Sequence, residues 1–196
     1  MKAFEKNIRK VEPYVPGEQP GRRVIKLNTN ENPYPPAPGV QKAMEQISPD
    51  KLRMYPDPTA SVLVDSLAEY YGVNKDQVFV GVGSDDVLSM CFLTFFNSEK
   101  PILFPDITYS FYKVRADLYR IPYICPKLMD DFRIRKEDYY QENGGVIFPN
   151  PNAPTGIYEG LEFVEDIIAH NQDVIGIVDE AYIDFSGKSA LELIDK

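Results

Sequence analysis

Residues 144–182 read GGVIFPNPNAPTGIYEGLEFVEDIIAHNQDVIGIVDEAY. The apolar run Val146–Phe148 is closed by a proline-rich turn. Apolar residues then recur at helical spacing in EGLEFVEDIIAHN, and a second apolar run follows at Val174–Val178. Strand, helix and strand in that order argue for a layered sheet whose strands are largely parallel. Runs this continuously apolar suit strands buried on both faces.

The alternation extends on either side. Toward the N-terminus, QVFVGVG (77–83) reads as a strand, SDDVLSMCFLTFF (84–96) as a helix and KPILFP (100–105) as a strand. TYSFYKVRADLY (108–119) then reads as a helix and IPYIC (121–125) as a short strand, while SALELIDK (189–196) starts a further helix. The fold class expected is α/β, a three-layer α/β/α arrangement with a mostly parallel sheet. Ahead of it lies a different composition. The chain has 17 prolines, clustered in Pro13–Pro38 and at Pro56 and Pro58, around a short helical pattern of Val40, Ala43, Met44 and Ile47. Leu63, Leu67 and Tyr70 repeat that spacing before Gly72, a glycine placed to end a helix. Residues 1–58 therefore read as a proline-rich arm with its first helix, and 59–196 as the layered domain. Such an extended segment either runs over another surface or is simply a linker.

A length of 196 residues with 43% hydrophobic content suffices for one substantial core. A net charge of −9 disfavours binding to a phosphate backbone, which needs a basic face, so no nucleic-acid partner is expected. Cys91 and Cys125 have no metal-ligand or CxxC spacing and read as buried free thiols in a reducing compartment. With one histidine in the chain, no metal is expected. No run reaches the length of a membrane span and the first residues lack an apolar core, so a cytoplasmic protein is the expectation.

In open α/β sheets ligands gather outside the strand C-termini, so four loops matter. GVGSDDV (81–87) offers two glycines and Ser84 as N-cap of a helix beginning at Asp85, an arrangement that cradles an anion on backbone N–H groups. Asp85 and Asp86 would then have to point aside. Ser followed by two acids is equally an ordinary helix start. In FPDITYSFY (104–112), Tyr109 falls in the first turn of the next helix, where its ring either stacks on a flat ligand or joins the core. FPNPNAPTG (148–156) makes a rigid turn from which an Asn side chain can donate to a ligand oxygen, or merely shape the turn. In VDEAYIDF (178–185), Asp179 ends an apolar strand and needs a partner. A core lysine or arginine, or the protonated ring nitrogen of a cofactor, would meet that need, and Tyr182 can reach a second atom of the same ligand.

Together LNTNENPY (27–34), YPDP (55–58), GVGSDDVL, PDITYSFY, NPNAPTG and VDEAYIDF resemble, in order and spacing, the fold-type I pyridoxal-phosphate enzymes, and among them the histidinol-phosphate aminotransferase family. The resemblance covers nearly the whole chain. It implies that Gly83, Ser84 and Asp85 hold the phosphate of pyridoxal 5'-phosphate, that Tyr109 stacks on its ring, and that Asp179 pairs with the pyridine nitrogen. Tyr182 would bond the phenolic oxygen. Tyr55 would reach the phosphate of a partner subunit's site, making the arm part of a homodimer, and Tyr14 and Asn30 would lie on the substrate side. The family places an Asn on the phenolic oxygen immediately before Pro-Thr-Gly. Here that position is Ala153, so Asn152 is assigned the contact, with Tyr182 acting alone as the alternative.

The family also carries the cofactor as a Schiff base on a lysine one strand further on, in a Ser-x-Ser-Lys-like segment. Lys188, in the connection directly after the Asp179 strand, does not match that position. The chain thus reads as the N-terminal portion of an enzyme, without that lysine and without the C-terminal small domain, and inactive alone. The implied activity of the whole is transamination of histidinol phosphate with 2-oxoglutarate in histidine biosynthesis. Alternatives are an aromatic amino-acid aminotransferase, a threonine-phosphate decarboxylase, or a non-catalytic phosphate- or cofactor-binding fragment.

Overall fold

The computed structural model divides the chain into two compact units, one of Met1–Tyr14 with Gly81–Lys196 and one of Val15–Val80. Residues 3–194 except Pro16 are described. Pro16 of the proline-rich arm and the last two residues of the helix expected from Ser189 lie outside the described residues.

Within Val15–Val80 the prolines set the punctuation. Helices α1 (Pro38–Glu45) and α2 (Pro49–Leu52) each begin on a proline, where the missing N–H is no loss. Helix α3 (Ser61–Tyr71) ends at Gly72, whose φ of 70° is the left-handed conformation expected there. Its start is held by Asp57, which accepts from the N–H groups of Thr59 at 3.0 Å and Ser61 at 2.7 Å and from both hydroxyls. These bonds, the Ser61 hydroxyl foremost, keep the Asp57 carboxyl well below the usual carboxylate range.

The unit of Met1–Tyr14 with Gly81–Lys196 holds α4 (Ser84–Phe95), β1 (Ile102–Leu103), α5 (Phe111–Tyr119), β2 (Tyr123–Ile124), β3 (Val146–Pro149), α6 (Leu161–Ala169) and β4 (Gly176–Asp179). The four strands form one parallel sheet in the order β2-β1-β3-β4. Side chains alternate across it. Ile102, Phe104 and Ile147 face a core built with Leu88, Phe92 and Tyr112 of α4 and α5, while Leu103, Val146 and Phe148 face Val164 and Ile167 of α6. Helices on both faces of a parallel sheet make the expected three-layer α/β/α arrangement. Each fully buried aromatic of the first core contributes roughly 1.5–3 kcal/mol of transfer free energy.

Several expectations are corrected. No residue of 77–83 joins the sheet: Val78 is extended (φ −114°, ψ 120°), but a strand exists only through its ladder, and no described neighbour pairs with it. Val174–Val178 is not buried on both faces: all four residues of β4, last in the strand order among the described residues, are half-buried. Both cysteines are free but half-exposed rather than buried. The segment after Ser189 forms a 3-10 turn, Ala190–Leu193, instead of the first turn of an α-helix. No helix among the described residues is long and apolar enough to cross a membrane.

Candidate active site

All strands of the sheet run the same way, so β1, β3 and β4 deliver their following loops to one edge. Pro149 of β3 lies in register with Asp179 of β4, which puts the NPNAPTG turn directly beside the acid. Asn150 bridges this turn to its far end. Its side chain donates to the Glu159 carbonyl and accepts from the Glu159 N–H, each at 2.8 Å, and it is 1% exposed.

The loop before α4 differs from expectation by one residue. Gly83, not Ser84, is the N-cap, with φ 82° and ψ 167°, a backbone region open essentially to glycine alone. Ser84 is the first helical residue, so the N–H groups of Ser84, Asp85 and Asp86 have no carbonyl within their own helix. Both acids are turned away from those groups. Asp86 Oδ2 accepts from the Val82 N–H at 3.0 Å. Asp85 Oδ1 accepts from the Tyr109 hydroxyl and from Arg115 Nη2, both at 2.8 Å.

Tyr109 is corrected as well. It precedes α5 rather than lying in its first turn, and its carbonyl accepts from the Tyr112 N–H. One edge of its half-buried ring meets Tyr112 (centroids 5.6 Å apart, interplanar angle 90°), and Phe111 lies at 5.6 Å. Burial, with the Asp85 carboxylate as the next cause, pushes its phenol well above the usual tyrosine value, so it stays a donor.

Among the described residues Asp179 pairs with neither a lysine nor an arginine. Its Oδ2 accepts from the Tyr112 hydroxyl at 2.6 Å and its Oδ1 from the Ala181 N–H at 3.2 Å. Tyr112 is fully buried, and burial followed by the Asp179 charge drives its pKa far up, which fixes it as the donor. A carboxylate has about four lone-pair positions, so Asp179 retains acceptor capacity for a ligand. Tyr182 is half-buried and caps the turn Ile183–Phe185 just beyond.

Asn152 is 3% exposed and spends its side chain inside the protein. Its Nδ2 donates to the Ile107 carbonyl at 3.0 Å and to Thr155 Oγ1 at 3.1 Å, and its Oδ1 accepts from Thr108 at 2.9 Å. Both of its donors are used, so it ties the loop after β1 to the loop after β3. Lys188 points elsewhere, pairing with Glu192 at 3.5 Å with its side chain 72% exposed. Tyr14 reaches the cluster through Phe111, its ring 4.5 Å away. Asn30 (φ 52°) and the fully exposed Tyr55 belong to the Val15–Val80 unit. Contacts therefore run without a gap from the start of α4 through Asp85, Tyr109 and Tyr112 to Asp179.

Residues 22–195 match the family described as aminotransferase class I and II. The chain belongs to this family. It is 54% identical, over 99% of its length, to a histidinol-phosphate aminotransferase of Lactococcus lactis subsp. cremoris, and covers 55% of that protein. It is 56% identical over 93% of its length to histidinol-phosphate aminotransferase 1 of Hydrogenovibrio crunogenus, covering 51% of it. The chain thus spans about half the length of the curated relatives it matches. Its fold is shared with the histidinol-phosphate aminotransferase of Sinorhizobium meliloti, solved in complex with pyridoxal-5'-phosphate (TM-score 0.73, 22% identity, 81% of this chain and 44% of that one).

In this aminotransferase chain, reasoning from sequence missed Tyr112, Arg115 and Asn150. A signal for the first two was present: Tyr109, Tyr112 and Arg115 follow one another at intervals of three, the spacing that aligns side chains along a helix face. Asn150 carried no signal beyond turn composition.

Proposed function

We propose that the protein carrying this chain is a pyridoxal-phosphate-dependent aminotransferase that exchanges amino groups between histidinol phosphate and 2-oxoglutarate. The observation that carries this reading is the unbroken contact path from the α4 N-terminus through Tyr109 and Tyr112 to Asp179. It offers, in one cluster, a seat for a phosphate, a flat ring and an acid. The donor set fits the cofactor. Helix α4 presents unpaired N–H groups with both acids drawn aside, Gly83 has open space where a Cβ would stand, and Asp179 keeps lone pairs free.

In this reading the backbone of Gly83, Ser84 and Asp85 holds the phosphate, Tyr109 lies against the ring, and Asp179 keeps a proton on the ring nitrogen. Bound there, the cofactor supplies an electron sink for the substrate Cα. Tyr182 holds the phenolic oxygen, and Asn152 serves it indirectly by fixing the two loops on either side. Tyr14 and Asn30 contact substrate, and Tyr55 completes the site of a second subunit in a homodimer. In functional terms 1–58 is assigned to substrate-side and dimer contacts and 59–196 to the cofactor-binding domain, a division different from that of the two compact units, in which 59–80 group with the arm and Met1–Tyr14 with the sheet. A cytoplasmic location suits such a biosynthetic enzyme. The names of relatives more than 50% identical support the substrate assignment. An amino-donor screen on the full-length protein, following glutamate formation from 2-oxoglutarate, is expected to favour histidinol phosphate over phenylalanine, tyrosine and histidinol. Preference for the aromatic amino acids would refute the assignment.

A further inference from the structure

Two carboxylates stand at the mouth of an anion cradle, and one of them is controlled by a cation that the proposed chemistry does not use. Asp85 and Asp86 occupy the second and third positions of α4. There a carboxylate is attracted to the free N–H groups of its own helix and competes with any incoming anion for them. Asp86 is diverted by the Val82 N–H. Asp85, more exposed, is diverted by Arg115.

Arg115 projects from α5 with its side chain only 5% exposed, against 54% for Asp85. Its Nη2 donates to both the carbonyl and the carboxylate of Asp85, each at 2.8 Å, and its Nε donates to Ser89 Oγ one turn further on, at 3.0 Å. The guanidinium also lies over the Phe111 ring, whose centroid is 4.8 Å from Cζ. Three bonds into the first two turns of α4 are more than a surface ion pair needs, and a buried guanidinium is costly unless it is so bound. The third guanidinium nitrogen, Nη1, is buried as well.

Resting on the cofactor reading above, we propose that Arg115 is a positioning residue. It clears the phosphate seat by holding the Asp85 carboxylate, together with Tyr109, away from the α4 amides. Arg115 itself is too buried to touch the ligand. Its effect passes through Asp85, so removing the Asp85 charge must cancel the effect of removing the arginine.

The test uses the full-length apoprotein, titrated with pyridoxal phosphate and separately with inorganic phosphate, in a double-mutant cycle with thermal melting as the folding control. Arg115→Met is expected to weaken both ligands about tenfold, the scale of one charge-assisted contact. Arg115→Met combined with Asp85→Asn is expected to recover affinity to within about threefold of the starting protein, since neighbouring residues acting on one site are non-additive. If Arg115→Met does not fold, Arg115→Gln takes its place, neutral but still able to donate to Ser89. A double variant as weak as the Arg115 single variant, or an Arg115 single variant as tight as the starting protein, overturns the proposal. Failure of the unaltered protein to bind pyridoxal phosphate would instead overturn the function proposed above.

Discussion

Asp179 keeps its place at the end of β4 because Tyr112 donates to it from a fully buried position. A phenylalanine at 112 preserves the ring packing against Phe92, Phe104 and Tyr109 but strands one carboxylate oxygen. Tyr112→Phe is therefore expected to cost about 1–2 kcal/mol of stability near neutral pH. The pH dependence has a definite sign. Tyr112 has a raised pKa in the folded state, so its protonated form stabilises the fold fully below the unfolded tyrosine value of about 10, and that contribution is lost as pH rises beyond it. Urea midpoints are expected to fall on the alkaline side in the unaltered protein and to fall less in the variant. A parallel decline in the two would mean that ionisation of the buried Tyr112 contributes nothing. The need of Asp179 for a partner was legible in the sequence, from an acid closing an apolar run. The partner was not, because Tyr112 lies 67 residues away and only the packing of α5 on β4's neighbours brings them together. Ala153 before Pro-Thr-Gly pointed to Asn152, but sequence gave no means of knowing that both of its amide donors go to Ile107 and Thr155.

At the scale of elements, the start of α4 depends on one backbone conformation. Gly83 combines φ 82° with ψ 167°, and a Cβ there would meet nothing within 4 Å. Gly83→Ala thus tests conformation without a clash. It is expected to destabilise by about 1–3 kcal/mol and, by tilting the first N–H groups of the helix, to weaken pyridoxal phosphate binding, both readable in one thermal-shift titration. A fully stable variant would show that the turn does not require glycine. Helices α1, α3, α4, α5 and α6, the positions of all four strands and the turn glycine at Gly72 were readable from periodicity and punctuation, whereas α2 was not. QVFVGVG was not, since strand propensity says nothing about whether a ladder partner exists. Nor does the apolar run at Val174–Val178 reveal that β4 stands at the end of the strand order.

Within the unit that carries the sheet, three loops of a parallel sheet and the start of α4 converge on one edge, which joins four of the six short stretches that resemble the family. The acidic balance of the chain and its proline-rich arm restrict partners without naming one. In the function proposed above, this edge binds pyridoxal phosphate through both its phosphate and its ring nitrogen. The most direct test is an equilibrium titration of the full-length apoprotein with pyridoxal phosphate and with pyridoxal, repeated on Asp179→Ala. Pyridoxal phosphate is expected to bind at least about tenfold more tightly than pyridoxal, as the loss of a charge-assisted contact at α4 requires, and Asp179→Ala to weaken both. Equal affinity for the two ligands, or an Asp179→Ala protein that binds as tightly as the unaltered one, would show that this edge is not the cofactor site.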